Sequence, residues 1–228
     1  MQKHYNHNIL IFIISITLIF NSCSPTRLIK PLNKGEKQIG ASLGGPLINY
    51  AGTTIPIPFT SLSGAYGVND NISLFGAFYP TAAAFGVFQT EIGLVNQLKA
   101  PDTLKFYKLG FSLNPSLNFL IDRWQGNFRF WPKYDFNLYS LIGKNRKSLL
   151  YVGLSNWFDF YAVKAHGVLN ERFIIAHLNS GIVINKGSWN HQLDIKLFST
   201  YNKNIVVDYF SPIGTVPWGV YYSISKNF

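Results

Sequence analysis

The sequence predicts an all-β fold, a single antiparallel transmembrane β-barrel of about ten strands, preceded by a secretory signal. Three observations carry this. From Lys37 onward the dominant hydrophobic period is two, the mark of strands with unlike faces. Charged residues make up only 13% of the 228 residues and aromatics 16%, against about 25% charge in a soluble domain. Beyond residue 20 no apolar run approaches the roughly 20 residues that a spanning helix needs. A membrane protein without spanning helices must close its strands into a barrel, because hydrocarbon offers no other partner for backbone N–H and C=O groups.

The alternating segments fall near 37–47, 59–68, 71–79, 83–96, 105–119, 128–141, 149–163, 172–185, 189–201 and 217–228. The clearest runs from Lys108 to Phe119: Leu109, Phe111, Leu113, Leu117 and Phe119 share one face, and Gly110, Ser112, Asn114, Ser116 and Asn118 the other. Ile174, Ala176, Leu178, Ile182 and Ile184 likewise oppose His177, Asn179 and Gly181, and Leu150, Val152 and Leu154 oppose Tyr151, Gly153 and Ser155. In the fourth segment the alternation changes phase at Gln89 and Thr90, which predicts a β-bulge. The polar face is Gly, Ser, Asn and Tyr, too weakly charged for a water-exposed coat but suited to a crowded lumen. The apolar face is therefore expected to meet lipid.

Short connections at Asn69-Asp70, around Pro101-Asp102, at 143–148 and at 185–188 alternate with longer ones near 48–58, 120–127, 164–171 and 202–216; the one near 80–82 is brief. Outer-membrane barrels have this asymmetry, short turns in the periplasm and long loops outside. An even strand count returns the carboxyl terminus to the side of the amino-terminal tether.

Residues 1–22 form an address rather than part of the fold. Lys3 precedes the apolar stretch Ile9 to Phe20, which ends at Asn21-Ser22-Cys23, the charged and apolar regions of a secretory signal. A small residue before the chain's only cysteine resembles a bacterial lipobox, with Phe20 and Asn21 departing from the usual Leu and Ala or Ser. The resemblance implies cleavage of residues 1–22 and lipidation of Cys23; Ser24 in place of Asp implies transfer to the outer membrane. Residues 23–36, with Pro25, Pro31 and Gly35, then read as a lipidated polar tether and 37–228 as the barrel.

The last segment, Trp218 to Phe228, sets Val220, Tyr222, Ile224 and Phe228 on one face and ends on Phe. It resembles the carboxy-terminal signal read by the outer-membrane barrel assembly machinery, with Phe228, Ile224 and Tyr222 as its signal residues. Lys226 interrupts the apolar pattern, where its amine can snorkel at the interface. The mature chain as a whole resembles the small barrel lipoproteins of Bacteroidota-type bacteria, a likeness that implies no defined activity.

The formal net charge is +10, and loss of residues 1–22 removes only Lys3. The basic residues form no stripe of the kind nucleic acid requires. They lie in turns (Lys99, Lys144, Arg146, Lys147, Lys186) and in the amino-terminal tether (Arg27, Lys30, Lys34, Lys37), which points instead to anionic lipid headgroups, at about 1 kcal/mol per basic group. Phosphate-binding loops, paired-cysteine zinc sites, HExxH and GxSxG are missing, so no cofactor or metal is expected. The glycines of 40–45 and 64–67 are expected to give curvature and room in the lumen.

Lys108, Lys133, Asp135, Asp159, His177, Asp194 and Lys196 fall on the inner face, where opposite charges are expected to pair and fill the barrel. His191 falls on the lipid face near the periplasmic end and His166 in a loop. Counting inward from the loop at 164–171 places Asp159 and His177 at matching depth near the extracellular mouth, as a pair more structural than catalytic. An Asp-His pair at the mouth of a ten-stranded barrel resembles the omptin proteases, whose sequence motifs are absent here. Three function classes follow: a structural or interaction lipoprotein with a filled lumen, a narrow passive pore, and a hydrolase at the mouth.

The first expectation to check is the anchor. Radiolabelled fatty acid is expected in the natural protein and absent from Cys23→Ala; equal labelling of the two would contradict it.

Overall fold

The computed structural model describes residues 28–101, 109–123, 126–143, 147–163, 169, 173–198 and 216–228. The signal segment, Cys23, Lys108, Lys144, Arg146 and His166 lie outside the described residues. The strands are β1 (Lys37–Tyr50), β2 (Thr53–Pro56), β3 (Phe59–Asn69), β4 (Ile72–Phe78), β5 (Val87–Lys99), β6 (Leu109–Asp122), β7 (Phe128–Ile142), β8 (Ser148–Phe158), β9 (Ile174–Lys186), β10 (Trp189–Phe198) and β11 (Trp218–Asn227). A five-residue helix, α1 (Pro80–Ala84), joins β4 to β5.

Ten of these strands form a closed antiparallel barrel, each pairing with its neighbours in sequence and β11 returning to β1. The seam runs from Gln38 opposite Asn227 to Pro46 opposite Gly219. Phe228 extends it, its N–H donating to the Lys37 carbonyl at 2.9 Å and its carbonyl accepting from the Lys37 N–H at 3.2 Å. With the seam closed, no edge is left to demand a backbone partner.

The eleventh strand, β2, lies outside the ring. It pairs with the end of β1, Leu47 to Tyr50, as a hairpin that projects past the rim. The sequence read this stretch as a plain connection, and α1 as a brief turn with a strand resuming at 83. The expected bulge at Gln89 and Thr90 is not there: β5 stays in register with β4 from Thr90 to Asn96, and the irregularity against β6 falls between Gln97 and Lys99. The apparent change of phase arose because Val87 and Val95 are apolar residues that face inward, with Gln89 and Glu91.

The two faces differ as membrane insertion requires. Ile39, Leu62, Ile92, Leu150 and Leu178 are each more than half exposed on the outside, while Ser112, Asn114, Asn118, Asn137 and Asp194 are buried inside. Water would penalise that coat and lipid does not. Aromatic rings line the end of β6 to β8 remote from the Lys37–Phe228 rim, here called the outer end, where Phe128 lies against Phe119 and Phe130 and Phe158 against Tyr134 and Phe160. At the other rim the Lys226 ammonium lies over Trp189 and Phe228, and His191 Nδ1 is 2.7 Å from the Tyr222 hydroxyl on the outer face.

The described part of the tether, Leu28 to Glu36, departs most from expectation. It is a strap inside the barrel rather than a solvated linker. Ile29 and Leu32 are buried, each burial contributing about 1.5–3 kcal/mol. The Ser112 hydroxyl donates to the Ile29 carbonyl at 2.5 Å and Asn114 Nδ2 to the Leu28 carbonyl at 3.0 Å; the Leu32 N–H donates to Ser73 Oγ at 2.8 Å. Gly67 exchanges backbone hydrogen bonds with Gly35 and Glu36, and a Cβ at that position would collide with the Asn33 carbonyl.

Deletion of Phe228 removes two seam hydrogen bonds, a loss of about 2 kcal/mol. The folded, heat-modifiable band on a gel is expected to fall to less than half its yield. Unchanged yield would contradict the seam's role.

Candidate functional site

The lumen holds Lys133, Asp135, His177, Asp194 and Lys196 of the inward ionisable residues that the sequence singled out, so it is the candidate site. It is filled in layers. At the outer end Val87, Leu120, Trp131 and Trp157 form an apolar cluster against which Ala82 of α1 and Ile175 pack. These residues share the lumen-facing parity of their strands, so the interior is not uniformly polar.

Below the cluster lies a charged layer. Lys133 Nζ is 2.9 Å from Asp135 Oδ2 and 5.4 Å from the Trp157 ring. Lys196 Nζ lies 4.5 Å from the Tyr221 ring. The Tyr151 hydroxyl donates to Asp194, and Gln192 Nε2 donates to both, at 3.1 Å each. Across the barrel the Tyr79 hydroxyl donates to Glu91 Oε2 at 2.7 Å. Lys133, Glu91 and Asp194 are each 2% exposed or less, so these charges are held by one another and by hydrogen bonds. The expectation that inward charges pair and fill the barrel holds for these residues.

Asp159 and His177 are not brought together. His177 lies opposite Ser155, and Phe158 opposite Ile174; the Asp159 N–H donates to the Phe173 carbonyl at 2.8 Å. Asp159 therefore sits four strand positions farther toward the outer rim, about 13 Å at 3.3 Å per residue. The expected matching depth assumed that the two strands reach equally far into their loop. In the fold β8 stops at Phe158, and the loop absorbs the residues that the alternation had given to the strand.

Each residue has a packing role instead. Asp159 Oδ1 accepts the Tyr161 N–H at 3.1 Å, a turn that lays Tyr161 edge-on against Trp131 at 6.4 Å and beneath Arg129 at 4.9 Å. Asp159 thus helps to fasten the outer cluster. His177 packs edge-on against Phe198 at 5.2 Å, near Lys133, Lys196 and Asp135, and neither ring nitrogen hydrogen-bonds to a described residue. Among the described residues no carboxylate hydrogen-bonds to the imidazole, so Asp159 and His177 do not form the Asp-His arrangement of a general base. Among the described residues no group of three or more His, Cys, Asp and Glu is placed to hold a metal.

Replacing Lys133 by Met leaves Asp135 buried without its partner, at a cost of about 3–5 kcal/mol. Urea unfolding in detergent micelles is expected to show that loss, and most of it is expected to return in Lys133→Met/Asp135→Leu. Equal stability of the single and double variants would contradict the pairing.

No protein-family model matches the chain, and no curated protein sequence does. Among solved structures it is similar to the translocator domain of the autotransporter NalP from Neisseria meningitidis, at 8% identity and a TM-score of 0.44, covering 99% of this chain and 96% of that one. It is also similar to the outer membrane protein OprG from Pseudomonas aeruginosa, at 12% identity and a TM-score of 0.34, covering 88% and 99%. A third likeness is to the N-terminal β-barrel domain of OprF from the same organism, at 9% identity and a TM-score of 0.32, covering 86% and 100%. At such identities and scores these likenesses carry no functional information.

Proposed function

We propose that the chain is an integral outer-membrane β-barrel lipoprotein, anchored through Cys23, that acts as a closed structural or interaction component of the cell envelope. The observation that carries this reading is the packed lumen. Trp131, Lys133, Asp135, Trp157 and Tyr221, from β7, β8 and β11, are all 5% exposed or less. A conducting pore keeps its lining residues in water; these are held out of it.

The orientation follows from the rims. Lys37 and Phe228 meet at the rim that carries the tight turns at Gly143 and Gly187, and outer-membrane barrels face such turns to the periplasm. The anchor and the carboxyl terminus then share the periplasmic side. Lys34, Lys37, Lys99, Lys147, Lys186 and Lys226 belong to this end, where anionic headgroups are the partner that suits them. Phe228, Ile224 and Tyr222 on the outer face of β11 suit a signal for the barrel assembly machinery. The projecting β1–β2 hairpin and the longer loops are the surface left for partners outside.

Planar-bilayer recording on the purified protein tests the closed state. No unitary conductance steps are expected in molar potassium chloride. Discrete, reproducible steps from the folded protein would overturn the reading in favour of a passive pore.

A further inference from the structure

The lumen is not filled to its full height. A cavity of about 490 Å³ opens at the rim where Lys37 and Phe228 meet and reaches inward to Glu91. Its cause is local. On β1, β3 and β11 the inward residues form two rows of small side chains, Ser223–Ser42–Ser61 and Ser225–Gly40–Ser63. Facing them, Ile29 of the strap packs with Tyr139, Leu149 and Tyr151, and Ile29 and Leu149 line the same cavity. Larger residues on β1, β3 and β11 would fill the space, so it follows from the choice of Ser and Gly there. A polar void of this kind holds water or a ligand, and its volume lies in the range of small-molecule sites, about 300–1,000 Å³.

The lining states what fits. The lining offers serine hydroxyls and the carboxamides of Asn185, Asn190 and Gln192, with Asn185 Nδ2 donating to Asn190 Oδ1 at 2.7 Å, Asn190 Nδ2 to Asn227 Oδ1 at 3.0 Å and Gln192 Nε2 to Tyr151 and Asp194 at 3.1 Å. It also offers the aliphatic surfaces of Leu28, Leu149 and Val183. Lys30 and Lys147 bring positive charge to the cavity. Its two carboxylates are engaged: Glu36 accepts from the Asn33 N–H, from Asn33 Nδ2 and from Asn227 Nδ2 at 2.6–3.0 Å, and Glu91 accepts from Tyr79. A chain of alternating N–H and C=O groups with small apolar side chains and a free carboxylate matches all three features. A neutral sugar leaves the two lysines unused.

We propose that this vestibule binds the carboxylate end of a short peptide of small residues. That the peptide comes from the periplasm rests on the orientation proposed above; the binding itself does not.

Calorimetric titration of the full-length protein in detergent micelles with tri-alanine tests the proposal. Saturable one-to-one binding is expected, weakened about tenfold in Lys30→Gln/Lys147→Gln. It is expected to be lost in Ser63→Leu/Ser225→Leu, whose folding is checked by heat-modifiability. Absence of saturable binding, or binding by the filled variant, would overturn the proposal. Equally tight binding of tri-alanine amide would remove the carboxylate from it, and a preference for maltotriose would reassign the site to saccharides; either result overturns the proposal. Since none of these measurements reads conductance, failure here is distinct from failure of the closed-lumen reading.

Discussion

Closure of β11 on β1 is the constraint from which the other features follow. In hydrocarbon an unpaired backbone group costs several kcal/mol, and a ten-stranded sheet has no remaining edge only when the seam from Gln38–Asn227 to Pro46–Gly219 is made. Once the ring is closed, every strand has a lipid side and a lumen side, and the two-residue period assigns each side chain to one of them. A one-residue slip at the seam would turn Ser223 and Tyr221 into lipid and Tyr222 and Ile224 into the lumen. Register, sidedness and closure are thus a single condition.

A closed barrel then faces a packing problem. Its interior is wide enough that side chains, backbone or water must occupy it, and polar groups within it need partners. The chain answers differently at each depth. Near the mouth Trp131 and Trp157 fill the space with α1 packed onto them. At the middle Lys133 pairs with Asp135, and Asp194 with Tyr151 and Gln192. Toward the other rim the chain uses its own strap, fastened to the wall of β4 and β6 through Ser73, Ser112 and Asn114. The serine wall of β1, β3 and β11 is the part of the circumference that nothing fills.

The strands were legible because alternation is local: Leu150 to Ser155 shows its two faces without reference to any other residue, and all ten barrel strands lie where the pattern placed them, to within five residues at their ends. What was not legible depended on distant partners. Ile29 and Leu32 sit three apart among prolines and lysines, and only the inner surfaces of β4 and of β6 to β8 reveal that they have somewhere to be buried. Gly67 was the available signal, a glycine whose missing side chain makes room for Asn33. The depth of Asp159 relative to His177 depended on how many residues the intervening loop takes up, which alternation does not encode. Trp131 and Trp157 were assigned to the correct segments, but that they close the mouth depends on α1 arriving from another connection.

Solvent access to the mid-lumen tests the closed barrel most directly. Ser155 lies between Asp135 and His177, with 7% of its surface exposed, whereas Ser188 sits exposed in the turn between β9 and β10. In a Cys23→Ser background, Ser155→Cys in the folded protein is expected to resist a water-soluble maleimide that labels Ser188→Cys readily, and to react only after unfolding. Labelling of Ser155→Cys at the rate of Ser188→Cys would mean that water fills the lumen, and would contradict the account.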